Sequence, residues 1–149
     1  MKNFLYYTFL ILALAGIYFY NNPIVDFKAD KAEGIHFQRG DWNQALSLAR
    51  KENKLIFLDI YATWCGPCKK LKSHSFSNNR VGSFFNTHFI NVSMDGEKGE
   101  GAMLSAQYNL NSYPSLYFID GTGKVVSYSG GYQSSDELLD LGKSISAVH

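Results

Sequence analysis

With 149 residues, 46% of them apolar and 18% charged, the chain has the size and composition of one globular domain with its own core, which excludes a disordered protein. A formal net charge of +1 excludes a basic field that would attract nucleic acid. The two cysteines, Cys65 and Cys68, close too short a loop to staple a fold, so a secreted disulfide framework is excluded as well.

The first predicted element is the uncharged run Phe4 to Tyr20, FLYYTFLILALAGIYFY, at the lower limit for a membrane span. Lys2 precedes it, which favours a cytoplasmic start and export of everything downstream. Tyr6, Tyr7, Tyr18 and Tyr20 stand at its two ends, where amphipathic rings favour the bilayer interface. Ala13 and Ala15 form an Ala-x-Ala pattern that a signal peptidase can cut. Ile17 to Tyr20 stays apolar beyond that point, which fits an uncleaved anchor better than a cleavage region. Residues 1–20 are therefore read as anchor or signal segment, with the domain exported in either case. Residues 21–34, NNPIVDFKADKAEG, are polar and without periodicity, as in a linker, and 35–149 form the domain.

Within the domain, strand and helix signals alternate. Asp41 is an N-cap with Gln44 three residues on, and Trp42, Ala45, Leu46 and Ala49 make one apolar face. Leu55 to Ala62, LIFLDIYA, is the near-continuous apolar run of a central strand covered on both faces. Helices are expected from Cys65 to about Phe76 and around Val81 to Asn86, with a second inner strand from Phe89 to Met94. Asp95 to Gly101 is a loop and Ala102 to Tyr108 a helix. Strands Ser115–Ile119 and Lys124–Ser129 flank the turn Asp120-Gly121-Thr122-Gly123. Ser134 with Glu137 is a capping box for a last helix that carries Leu138, Leu141 and Ile145. This order predicts an α/β fold with a mixed central sheet and helices on both faces.

The chemistry is concentrated in Trp64-Cys65-Gly66-Pro67-Cys68-Lys69, where the buried strand passes into a helix. Cys65 falls at the exposed helix N-terminus, where its sulfur is expected to be reachable and where free N–H groups and the macrodipole favour a thiolate, with a pKa on the order of 7 in such motifs. Pro67 occupies the first turn, where its missing N–H costs nothing. Cys68 lies one turn inward, placed to attack a mixed disulfide on Cys65. The rival use of C-x-x-C, half of a zinc site, needs two more ligands, and His36, His74, His88 and His149 show no H-x₃₋₅-H pairing. Asp59 stands inside the apolar strand, where an unpaired carboxylate is expensive and needs a partner or a task. Lys69, Lys70 and Lys72 read as a solvated basic face, and His74 as a surface helix residue.

The WCGPC motif after LDIYAT resembles the thioredoxin superfamily, with the likeness running from about Ile35 to the C-terminus. Tyr61-Ala62-Thr63-Trp64, Ser75-Phe76-Ser77 and the Asp95 loop look closer to exported, membrane-anchored bacterial members, among them thiol-reductase domains of disulfide-reducing membrane systems and of cytochrome c maturation. The resemblance implies a thioredoxin-like fold and a proton-transfer role for Asp59 toward Cys68. It also implies a cis Tyr113–Pro114 bond packed against the dithiol, the Tyr113 backbone pairing with a substrate strand, and Gly130-Gly131 lining the same groove. A lysine common beside the matching aspartate of thioredoxins is replaced by Asn91 in that comparison. Trp64, Gly66 and Pro67 complete the expected substrate-facing surface.

The expected function is thiol–disulfide exchange on exported proteins, in the reducing direction suggested by the Gly-Pro dipeptide, with no metal or organic cofactor beyond the Cys65–Cys68 disulfide. The expected partners are protein dithiols or disulfides, an electron donor, and the membrane through residues 4–20. The expected location is a cell membrane with the domain in the periplasm, or the periplasm itself after cleavage. The alternatives are a noncatalytic binding or chaperone module using the Tyr113–Pro114 groove, and a structural metal domain.

Overall fold

A computed structural model describes residues 2–21, 23–38 and 41–149. The side chain of Lys2, read above as setting orientation, and Asn22 of the linker lie outside the described residues. Helix α1 (Lys2–Asn21) takes up the apolar run. Its stretch Phe4–Asn21 is long and apolar enough to cross a membrane, and none of it is buried in the protein.

Helix α2 (Trp42–Glu52) starts where Asp41 accepts the Gln44 backbone N–H at 2.8 Å and ends at Asn53 in the left-handed conformation. Strand β1 (Leu55–Tyr61) is buried along its whole length. Helix α3 (Gly66–Lys70) continues into a π turn (Leu71–Ser75), in which the Phe76 N–H reaches back to the Leu71 carbonyl. Then follow α4 (Asn79–His88), β2 (Phe89–Asp95), α5 (Gly99–Gln107), β3 (Ser115–Ile119), β4 (Val125–Gly130) and α6 (Ser135–Ser146). The Ser134–Glu137 capping box is formed in both directions. The expected helix over 102–108 starts earlier, at Gly99, because the DGEKGEG loop turns helical before its apolar residues begin.

The strands form one mixed sheet in the order β2-β1-β3-β4. β1 runs parallel to β2 and antiparallel to β3, which is antiparallel to β4. Alternation along β1 divides the core. Leu55 and Phe57 join Val81, Phe85, Leu138 and Ile145 from α4 and α6 on one face. Ile56, Leu58 and Ile60 join Trp42, Ala45, Ala49 and Leu104 from α2 and α5 on the other. Phe57 is fully buried, with Phe76, Phe85 and Phe118 around its ring. Asp59 belongs to the Leu55–Phe57 series, so it points to the side that carries the α3 rod.

The stretch expected as a linker is irregular, as its composition implies, but it leans on the domain. Phe27 stacks on Tyr61 with centroids 4.0 Å apart and planes 5° apart. Asp30 accepts the Phe37 backbone N–H at 3.0 Å and holds Lys72 Nζ at 2.7 Å. Gly34 and Gly82 allow a close approach of backbones, since a Cβ on either would collide with a carbonyl oxygen, of Phe76 and of Glu33 respectively. These partners lie far along the chain, so a local reading of 21–34 cannot see them.

Candidate active site

β1 ends at Tyr61, and Ala62-Thr63-Trp64 carries the chain to Cys65, the N-cap of α3. The Cys65 N–H bonds the Ala62 carbonyl at 3.1 Å, and the Cys65 carbonyl accepts the Lys69 N–H at 3.1 Å. The Cys68 backbone N–H donates to Cys65 Sγ at 3.1 Å. This is the helix-end donor that the sequence implied for a thiolate. Pro67 sits in the first turn. Cys65 and Cys68 are joined as a disulfide, with Cα atoms 5.3 Å apart.

One expectation needs correcting. Cys65 was read as the exposed sulfur, yet it is only 3% exposed, against 2% for Cys68. Tyr61 and Ala62 bury the pair, with Phe27 and Tyr113 packed against it. Phe27 comes from the supposed linker, so its shielding is invisible in the motif. The rim on the Cys65 side stays open: Thr63, Trp64 and Pro67 are exposed, Trp64 by 66%. The Trp64 indole N–H donates to Glu97 Oε1 at 3.0 Å, and its ring meets Tyr113 edge to face at 5.9 Å.

The Tyr113–Pro114 bond is cis. The Pro114 carbonyl accepts the Gly131 N–H at 2.9 Å, and Gly131 takes a positive φ of 83°. Trp64, Tyr113 and the cysteine pair are thereby gathered in one place, with Gly66 half-buried at the start of α3.

Asp59 is 2% exposed and lies opposite Ser93 on β2. The Ser93 hydroxyl donates to Asp59 Oδ2 at 2.7 Å, while Oδ1 is buried with no hydrogen-bond partner among the described residues. Burial pushes the carboxyl from 3.8 up to about 7, against the opposing effects of the Ser93 hydrogen bond and the positive charge of Lys72. Near neutral pH this carboxyl can therefore take or give a proton. Tyr61 is pushed up to about 12, first by burial and then by Asp95, Asp59 and Asp26, so it stays neutral where Asp59 titrates.

Two further expectations are corrected. Asn91, expected beside Asp59, lies opposite Phe57 and donates its amide to the Phe85 carbonyl and to Asn86 Oδ1, tying β2 to α4. Strand register gives the place beside Asp59 to Ser93. Lys72 does not belong to a solvated face: it is 8% exposed, paired with Asp30, and its Nζ stands 4.6 Å from the centre of the Phe37 ring. Its position one turn after Cys68 was the available signal. The π turn, which changes the facing of the rod after Lys70, had none in the sequence. Lys70 does stay at the surface region, near the rings of Tyr20 and Tyr132, and half-buried His74 meets the Tyr20 ring.

A family model described as a thioredoxin-like domain matches residues 42–146. The solution structure of a Bacteroides thetaiotaomicron protein, assigned as a disulphide-isomerase, is similar with a TM-score of 0.66 at 43% identity, covering 76% of this chain and 96% of that one. Thioredoxin-T of Drosophila melanogaster is 35% identical over 109 residues, which are 69% of this chain and 60% of the relative. The thiol:disulfide interchange protein DsbD of Yersinia pestis is 30% identical over 81 residues, 54% of this chain and 14% of that protein. The chain thus spans less than two thirds of the length of either curated relative. The family match covers the sheet, the α3 rod and the closing helix, and so takes in every strand that positions Cys65, Cys68 and Asp59. By that match the chain belongs to the thioredoxin-like domain family.

Proposed function

We propose that this protein is a membrane-anchored thiol–disulfide oxidoreductase that reduces disulfides of exported proteins. The observation that carries the reading is the cysteine pair at the β1–α3 turn, with the Cys68 N–H directed at Cys65 Sγ. The similarity to the Bacteroides thetaiotaomicron disulphide-isomerase and to the Yersinia pestis disulfide interchange protein supports the reaction class. The apolar α1 supports anchoring.

In the reduced protein the Cys65 thiolate attacks one sulfur of a client disulfide. A Cys65–client bond forms, the client S–S bond breaks, and the departing client sulfur leaves as a thiolate that takes up a proton. Cys68 then passes its proton to the Asp59 carboxylate and attacks Cys65 Sγ. The Cys65–Cys68 disulfide forms and the second client sulfur is released. Two electrons pass to the client, and a donor dithiol must later return two to the protein.

Asp59 suits the proton step because burial places its titration near neutrality. Trp64, Gly66, Pro67 and the Tyr113–Pro114 segment form the surface on which the client docks. The reaction as proposed needs no metal or organic cofactor. An insulin-reduction assay tests it directly: the wild-type protein should reduce the insulin interchain bonds with dithiothreitol as donor, and Cys65→Ser should run at the background rate. Equal rates for the two would reject the oxidoreductase and leave a binding module on the Tyr113–Pro114 surface.

A further inference from the structure

Lys72 is a buried cation that the thiol chemistry above does not use. Lysine is almost never buried unless paired, and here the partner comes from outside the matched domain. Asp30 precedes α2, the first element of the family match, yet its Oδ1 lies 2.7 Å from Lys72 Nζ and its Oδ2 accepts the Phe37 N–H. The side chains are 13% and 7% exposed, so solvent screens the pair poorly. Phe37 covers the ammonium with its ring face.

Lys72 follows Cys68 by one turn of the α3 rod, and its ammonium rests on Phe37, a member of the core that Leu55 and Phe57 build on the Asp59 side of β1. From there its positive charge reaches the Asp59 carboxyl. The Asp59 oxygen left without a hydrogen bond, Oδ1, has no donor among the described residues to stabilise its charge, so nearby fixed charges decide how well it holds a proton. Other groups around Asp59 are quiet near neutral pH. Ser93 is a neutral donor on β2, Leu116 is the apolar neighbour on β3, and Tyr61 on the same strand stays protonated. Asp26 and Asp95 act on Tyr61, and Asn91 is turned to α4.

We propose that the Asp30–Lys72 ion pair sets the protonation of Asp59, so that a segment before the thioredoxin-like domain takes part in controlling its redox site. Lys72 favours the Asp59 carboxylate, and Asp30 moderates that effect by holding and partly neutralising the ammonium. Both are positioning residues. The consequence for the reaction rests on the proton-transfer role given to Asp59 above.

The two partners should therefore act in opposite directions. Lys72→Met removes the cation and should move the Asp59 titration midpoint up by about one pH unit. Asp30→Asn leaves the cation unopposed and should move the midpoint down, and Lys72→Arg should restore the wild-type value. The measurement is a carbon-13 carboxyl NMR titration of Asp59 in the full oxidised chain in detergent micelles. Opposite movements with rescue by arginine support the inference. Movement of Lys72→Met and Asp30→Asn in one direction, or no movement in folded Lys72→Met and Asp30→Asn variants, overturns it, since a merely structural ion pair has no reason to split the sign. The pH profile of mixed-disulfide resolution, measured on the same variants, addresses the separate reading. Midpoints that split while the rates stay fixed would uphold the ion pair's control of Asp59 and remove Asp59 from the thiol chemistry.

Discussion

The Ser93 hydroxyl donates to Asp59 Oδ2 at 2.7 Å across the β1–β2 pairing, and it is the one hydrogen bond the structure gives this buried carboxyl among the described residues. One bond favours the charged form, yet burial outweighs it and holds the proton to about pH 7. That balance gives the site a proton acceptor that is half loaded at neutrality, and it has a cost in stability with a definite sign.

Asp59→Asn should stabilise the protein at alkaline pH. Between the ordinary value of 3.8 and about 7, the folded protein holds a proton that the unfolded chain has already released. More protons bound to the folded state means that stability falls as the pH rises through this window and levels off above it. By linkage the full penalty is about 4 kcal/mol. Urea unfolding should therefore show the asparagine variant gaining a few kcal/mol over wild type at about pH 8 and losing most of that gain by about pH 4. The same variant should slow mixed-disulfide resolution near neutral pH. A stopped-flow rate equal to wild type from about pH 6 to 9 would take Asp59 out of the proton step.

Phe27→Ala should expose the disulfide. Phe27 lies flat on Tyr61 and packs against the cysteine cluster, so its removal uncovers the sulfurs without touching the motif. A half-buried aromatic contact of this kind is worth about 1 kcal/mol beyond its buried area, so the fold should survive. Reduction of Cys65–Cys68 by a small thiol should quicken several-fold in the variant. An unchanged rate would mean that Tyr61, Ala62 and Tyr113 alone control access.

The contrast between what the sequence disclosed and what it hid follows from the range of each interaction. Strand β1, the Asp41 and Ser134 caps and the dithiol turn were legible because each is set by neighbours a few residues away. The buried character of Lys72 was not, because it depends on a π turn and on Asp30, which is 42 residues distant. The exchange of Asn91 for Ser93 beside Asp59 is a matter of register, which hydrophobic patterning specifies poorly where β1 is buried throughout and β2 over its first four residues. Phe27 was one aromatic in a polar stretch, and its partner Tyr61 sits in another element.

Alkaline phosphatase fused after His149 should be active and should sediment with membranes in a bacterial host. The uncharged stretch Phe4–Asn21 of α1 is long enough to span, and Lys2 ahead of that stretch favours a cytoplasmic N-terminus. An inactive fusion would reverse the orientation. Active enzyme in the soluble fraction would instead mean cleavage after Ala15.

Cys68→Ser should trap covalent complexes with client proteins, whereas Cys65→Ser should trap almost none. Both sulfurs are buried in the disulfide form, so exposure of the sulfur itself does not separate them. Their surroundings do. Cys65 caps the rod, receives the Cys68 N–H and is bordered by the exposed Thr63, Trp64 and Pro67. A client strand reaching that rim meets Cys65 first, and the helix end stabilises the thiolate it needs. Cys68 lies a turn deeper, in the direction of the fully buried Leu71, so its part is to attack the mixed disulfide from within. Without it the Cys65–client bond has no intramolecular exit and persists until an outside thiol arrives. Nonreducing purification of the serine variant, followed by mass spectrometry of the attached chains, reads the outcome and names the clients. Equal trapping by the two variants would refute the assignment of Cys65 as the attacking sulfur.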